Sequence, residues 1–399
     1  MNLIIEGWQV LQQYAIAFLF IAACAFWGGA VIVGRVGSAV DRLNVDEALA
    51  LAAGAWIVPA WLASIVVLLL GSVLRSQIIL QASIGSIALA TLTAVWLAQL
   101  RHRPLHQHFG LAGWGLVVAA AVLIFVRLAF IGGLTLPLYF DSAAHYGITR
   151  QLLDLFTAGL PHDRLALPVP GYYHLGYHIL VAGWSRLFRI DIASLMLVSG
   201  QLVLAVLPLP LYLMIHRTTG SAAAGLVGVL LGALGWYMPS YVVNWGKYPA
   251  ILAALAVLTS LNLALLSREA GPPEPRKWTM RALALLAAVI AVVIHTRALI
   301  IMGMIAGAWW LAGVWLNLPP RVQARAAAFA AIAATGVVAI TWFQPALWQV
   351  MDPYLGAGRW MMLGVAALAP VAVRAHPRVS IACILTMFLL LTGMLIPVP

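Results

Sequence analysis

Apolar runs of about twenty residues, separated by short polar or basic connections, recur about twelve times along the chain. Runs of this length read as membrane-spanning helices, because only helices and closed barrels satisfy their backbone polar groups in lipid. Spans are predicted near Tyr14–Val33, Ala48–Leu70, Ile79–Leu100 and Gly110–Gly132. Four more lie near Ala193–Ile215, Ser221–Met238, Pro249–Leu266 and Ala282–His295, and the last near Ala298–Leu316, Ala326–Phe343, Trp360–Val373 and Val379–Ile396. The expected fold is all-α, a polytopic integral membrane protein with a single transmembrane domain over residues 1–399. Its parts are N-terminal spans (1–133), a large outer loop carrying interfacial helices (134–192) and the remaining spans (193–399).

The alternation is interrupted by one long polar stretch, Tyr139–His178. It gathers Asp141, Asp154 and Asp163 with His145, His162, His174, His178, Arg150 and Arg164. Such groups cost solvation energy near lipid unless a polar pocket or a water interface receives them. Asp141 and His145 stand four apart, as do His174 and His178, so each pair shares one face if its segment is helical.

Composition removes the soluble alternative. The chain is 64% hydrophobic and only 8% charged, whereas a soluble domain carries about 25% charged residues. A net charge of +11 would suggest nucleic acid in a soluble protein. Here the Lys and Arg residues sit in connections between apolar runs, so the positive-inside rule accounts for them and no nucleic-acid partner is expected. Cys24 and Cys383 lie in apolar segments and carry no redox information. The N-terminus lacks a basic n-region, so the first apolar run is expected to remain as a span.

The basic connections also orient the chain. Arg101 with Arg103, Arg268 to Arg281, Arg321 with Arg325, and Arg374 with Arg378 are expected inside. Counting crossings from them puts Tyr139–His178 and Pro239–Tyr248 outside and His216-Arg217 inside. The count agrees only if Tyr173–Phe188 lies along, or dips into, the outer surface without crossing. Both termini then face outward. Three polar clusters share that face: Asp141 to His178, Asn244 to Lys247, and His295 to Arg297. Gln344–Arg359, with Asp352 and Arg359, is a fourth candidate.

Asp141 is the leading catalytic candidate, as general base on a hydroxyl or as holder of a divalent cation, magnesium or manganese, together with His145. Its plainer reading is a helix N-cap or a carboxylate paired with Arg150. His145 would orient Asp141 or contact a phosphate. His174 and His178 supply metal-ligand types, but with Tyr172, Tyr173 and Tyr177 they also fit an interfacial aromatic belt. Lys247 and Arg297 are outward-facing cations suited to gripping phosphate, with helix-end snorkelling as the alternative. Asn244, Trp245, Tyr248, His295, Arg150, His174 and His178 complete the candidate substrate-binding set, and Trp245 and Tyr248 could stack on a sugar ring.

From Leu136 to Ile301 the chain resembles the GT-C class of polytopic glycosyltransferases. The resemblance rests on Phe140-Asp141-Ser142 with His145 and Arg150 in the first large outer loop, followed by the Pro168–His178 segment. It continues through His216-Arg217-Thr218-Thr219-Gly220, the proline-led loop Pro239–Tyr248, and His295-Thr296-Arg297 at a later span end. Departures are more early spans than the single one usual in the class, no acidic residue in Pro239–Tyr248, and no C-terminal soluble domain. The resemblance implies an inverting transferase of the cell envelope, with a polyprenyl-phosphate-linked sugar as donor, membrane lipids around it and an acceptor not specified. It would sit in a bacterial plasma membrane with its site facing outward. The rival expectation is a polytopic transporter or lipid-handling protein, whose polar residues would line a path near the midplane.

Overall fold

The computed structural model describes residues 2–37, 43–74, 76–101, 110–137, 140–158, 173–234, 246–269, 274–325, 368 and 371–395. The described elements are all helices. They are α1 (Asn2–Gln13), α2 (Ala15–Gly37), α3 (Val45–Ala55), α4 (Ile57–Val73), α5 (Gln77–Arg101), α6 (Leu111–Ala129), α7 (Phe140–Ala158) and α8 (Gly176–Phe188). After them come α9 (Ile192–Val206), α10 (Leu209–Thr219), α11 (Ala222–Leu234), α12 (Tyr248–Glu269), α13 (Glu274–Ile294), α14 (Arg297–Leu316) and α15 (Pro377–Leu395). Among the described residues, 8 stretches are long and apolar enough to cross a membrane. The chain is thus an all-helical polytopic membrane protein. Of the twelve predicted spans, Ala326–Phe343 and most of Trp360–Val373 fall outside the described residues. Ser221–Met238 is represented by the thirteen residues of α11, and Val379–Ile396 by α15.

Two of the stretches are broken inside, and prolines account for the breaks. Val45–Val73 consists of α3 and α4 with a joint at Trp56. Pro59, in the first turn of α4, has no N–H to continue the ladder back into α3. Ile192–Thr219 consists of α9 and α10, jointed where Pro208 and Pro210 occur. The start of α3 is fastened to the end of α10. Glu47, 1% exposed, accepts a hydrogen bond from the Asn44 backbone N–H at 3.1 Å and pairs with Arg217. His216 Nδ1 lies 3.0 Å from the same carboxylate, and Tyr212 donates its hydroxyl to the neighbouring Asp46.

Contacts divide the chain into two compact units, residues 1–233 with 242–298, and residues 234–241 with 299–399. In the second, the Arg378 guanidinium lies 4.7 Å over the Trp309 ring. The polar stretch belongs to the first.

In that first unit α4, α7 and α8 run side by side in one direction. Trp61 Nε1 donates to Gly176 O at 3.0 Å, and Arg186 Nη2 donates to Gly71 O at 3.2 Å, so α8 tracks the second half of α4. His145 faces His178, and Ile148 and Leu152 cluster with Ala182, so α7 follows the same course. At a rise of about 1.5 Å per residue, the step from Trp61 to Gly71 measures about 15 Å. A second helix checks this depth. A side chain at Gly200 would collide with the Tyr248 ring, and Gly200 lies nine residues, about 13 Å, beyond Asp191, the N-cap of α9. The starts of α7 and α8 therefore lie about 13–15 Å inside the bundle from its Arg186–Asp191 end.

The described part of Tyr173–Phe188 is packed among other helices of the first unit. Helix α8 is 13 residues long, about 20 Å, which is short of the ~30 Å hydrocarbon core. Ten of its residues are buried. Glycine explains how it enters so far. A Cβ at Gly176 would lie 2.7 Å from the Ile294 backbone N, and one at Gly183 only 2.6 Å from the Ser64 Cβ. Helix α7 covers it with a two-sided pattern, burying His145, Ile148, Thr149 and Leu152 and exposing Tyr146, Arg150, Gln151 and Asp154.

Candidate functional site

Asp141 lies in the first turn of α7, where the helix dipole favours a carboxylate. Lys247 Nζ forms an ion pair with it across 106 residues of sequence. The side chains are 28% and 45% exposed respectively, so the pair is reachable from outside the protein.

Gly246 makes that meeting geometrically possible. Its φ is +71°, a left-handed value that side-chain-bearing residues rarely adopt. A Cβ there would stand 2.7 Å from the Ser142 backbone N and 2.5 Å from Ser142 Oγ. The chain thus rests directly on the N-terminus of α7 and turns sharply into α12. Tyr248, the first residue of α12, hydrogen-bonds Ser142 and stacks on Tyr177 of α8, with rings 5.9 Å apart and 8° from parallel. Three separate elements are thereby locked at one level.

Four histidines flank the pair. His145 Nδ1 and His178 Nε2 are 2.9 Å apart, so one ring nitrogen donates and the other accepts. The His174 ring lies 4.3 Å from that of His295 and is stacked by Tyr173 at 4.4 Å. His295 Nδ1 accepts the Arg297 backbone N–H at 3.2 Å. Burial pushes the His145 and His295 imidazoles down to about 4, and it pushes His174 and His178 below the usual histidine range as well. The charges of Lys247 on His145 and His295, and of Arg297 on His174 and His295, act in the same direction. At neutral pH the rings are therefore uncharged. Asp141 pairs with Lys247, and the Arg297 charge is felt by His174 and His295.

The predicted residues Asp141, His145, His174, His178, Lys247, Tyr248, His295 and Arg297 thus come together. Arg150 does not join them. It stands nine residues further along α7 and pairs with Asp154 at 3.1 Å. That also replaces the plainer reading of Asp141 as an Arg150 partner. Asn244 and Trp245 lie outside the described residues, as do His162, Asp163, Arg164 and Gln344–Arg359. Ser142, Gly246 and Tyr177 belong to the site but were not singled out for it. Only Gly246, next to the lysine of Trp245-Gly246-Lys247, carried a local signal of a tight turn.

The possible metal ligands, Asp141 and His145, each have a protein partner. Among the described residues no group of three His, Cys, Asp or Glu side chains is disposed to hold an ion. Asp141 engages Lys247, and His145 engages His178. What the geometry can do is accept a proton at Asp141 and bind an anion at Lys247 and Arg297 in a partly dehydrated setting. Comparison with protein-family models, with curated proteins and with solved structures returns no match, so the functional reading rests on these residues themselves.

Proposed function

We propose that the chain is an inverting membrane glycosyltransferase that moves a sugar from a polyprenyl-phosphate donor to an acceptor hydroxyl at the outer face. One observation carries the reading: a reachable carboxylate, Asp141, paired with Lys247 and flanked by uncharged histidines, two of which feel the charge of Arg297. In the step proposed, the acceptor oxygen attacks the anomeric carbon and its proton passes to Asp141. The bond to the phosphate oxygen breaks and its electron pair leaves with the phosphate. Lys247 and Arg297 face the negative charge that develops there, where a low-dielectric setting strengthens the attraction. Phosphate arrival would draw Lys247 away from Asp141 and leave the carboxylate free to act as base. No step is routed through a metal.

Asp141→Asn tests this reading, because the amide keeps the size of the side chain but loses its charge and basicity. The expected result is loss of transfer with folding and donor binding retained. Full transfer by the purified variant would remove Asp141 from the mechanism. A chelator arm addresses the cation separately: activity lost and restored by magnesium or manganese would assign Asp141 a metal-holding role.

The second reading, a transporter or lipid-handling protein, is favoured by the depth of the cluster, about 13–15 Å inside one end of the bundle. Proteoliposomes loaded with a polyprenyl-phosphate sugar separate the two. Cleavage of the sugar–phosphate bond supports the transferase, whereas movement of intact lipid between leaflets supports the rival.

A further inference from the structure

A polar cavity of about 360 Å³ opens between the exposed face of α7 and the corner joining α8 to α9. Tyr146, Arg150 and Asp154 line it from α7, and Arg186, Arg189 and Asp191 from the corner. Both carboxylates already have partners. Asp154 is held by Arg150 at 3.1 Å. Asp191 caps α9, accepting the Ser194 N–H at 3.0 Å and lying 3.3 Å from the Ser194 hydroxyl. Three arginines against two aspartates leave the lining one positive charge in excess. Arg186 spends one Nη2 contact on Gly71 O, and its buried Nε has no hydrogen-bond partner among the described residues. Arg189 is exposed and makes no ion pair among the described residues.

Arg189 also ends α8 at φ +55°, the only non-glycine with positive φ among the described residues. Glycine would occupy that left-handed cap without the ~1 kcal/mol steric cost of a Cβ. Helix termination alone therefore does not require arginine here, and Arg189 is also one of the residues lining the cavity. Planar guanidiniums bind phosphate oxygens through paired N–H groups.

We propose that this cavity is an anion site that takes a phosphate group, separate from the Asp141–Lys247 centre and independent of the transferase reading. The phosphate could belong to an anionic lipid headgroup or to free phosphate, since the chemistry recognised is the same.

The test uses the purified full-length chain and reads its melting temperature. One arm titrates inorganic phosphate against chloride at equal ionic strength, in neutral detergent. The other compares nanodiscs of phosphatidylcholine alone with nanodiscs containing phosphatidylglycerol. Wild-type chain is expected to be stabilised in at least one arm. A response to inorganic phosphate assigns the site to the phosphate group alone, and a response to phosphatidylglycerol only assigns it to lipid. Arg189→Gly is the decisive variant, because it relieves the positive φ and should fold at least as well as wild type. It is expected to weaken the response by ~10-fold or more, the worth of a charge-assisted hydrogen bond. In the Lys247→Ala background, where the Asp141 centre has lost its phosphate grip, the response that remains is expected to be lost on adding Arg189→Gly. No stabilisation of the Lys247→Ala protein in either arm overturns the proposal, and so does a response in it that survives Arg189→Gly.

Discussion

Gly246→Ala asks whether the approach of residue 246 to the start of α7 is what delivers Lys247 to Asp141. Two costs can be separated. An L-residue at φ +71° costs about 1–2 kcal/mol by itself. Gly220 ends α10 at φ +72° with nothing within 4 Å of its Cβ position, so Gly220→Ala carries that cost alone. At Gly246 the new Cβ also meets the Ser142 backbone N at 2.7 Å, where ordinary contact begins at 3.4 Å. The hydroxyl of Ser142 can rotate away, but the backbone N cannot. The loop must therefore retreat, at a further cost of about 1–3 kcal/mol, typical of overpacking. Loss of the partly exposed ion pair adds at most about 1 kcal/mol. Unfolding of the two variants in mixed micelles measures the difference, and Gly246→Ala should be the less stable by about 1–4 kcal/mol. If the transferase reading holds, a retreat of this size should also slow transfer by ~10²-fold, since catalytic geometry tolerates little displacement. Equal stability of the Gly246→Ala and Gly220→Ala proteins would refute the close approach, and with it the account of how Lys247 is placed.

Three other outcomes are expected. His145 takes up its proton at about 4 in the folded chain but near 6.5 when unfolded, so acid favours the unfolded state between those values. Stability should be full above pH 6.5 and fall by an order of ~3 kcal/mol as the pH drops towards 4; in His145→Gln that slope should shrink, and an unchanged slope would locate the acid sensitivity elsewhere. Lys247→Ala and Arg297→Ala should each weaken donor binding by ~10–100-fold and slow transfer with it, so a donor affinity unchanged in both would remove them as phosphate contacts. Single cysteines at positions 141 and 247 should be labelled from one side of sealed vesicles and a cysteine at position 101 from the other; labelling of 141 and 247 from opposite sides would contradict their ion pair.

Much of this architecture can be read from hydropathy, because a span of lipid-facing residues leaves a long, uniform signal. The stretches starting at Ala15, Gln77, Leu111 and Tyr248 begin within a few residues of their predicted positions. The gathering of Asp141, Lys247 and His295 was also foreseeable, since the count of crossings puts their helix ends on one face. What stayed hidden depends on partners far apart in sequence. Nothing local announces that His145 meets His178, or that Glu47 meets Arg217 across 170 residues. The depth of α8 was hidden for a related reason. Its apolar run is equally consistent with lying on a membrane, and only Gly176 and Gly183, set against Ile294 and Ser64, decide that it enters the bundle.

The Glu47 clasp sets an order on how the protein is made. Translation proceeds at about 5–20 residues per second, so α3 leaves the ribosome roughly 10–30 seconds before Arg217 does. During that interval the carboxylate that ends up 1% exposed has neither its arginine nor its histidine. An unpaired carboxylate is costly in hydrocarbon, which would hold the start of α3 at the aqueous border until α10 arrives. Nascent chains arrested before Thr219 should therefore leave position 47 open to water-soluble reagents, and chains arrested well beyond it should protect it. The last turn of α10 would then act as a timing signal for closure of the first unit.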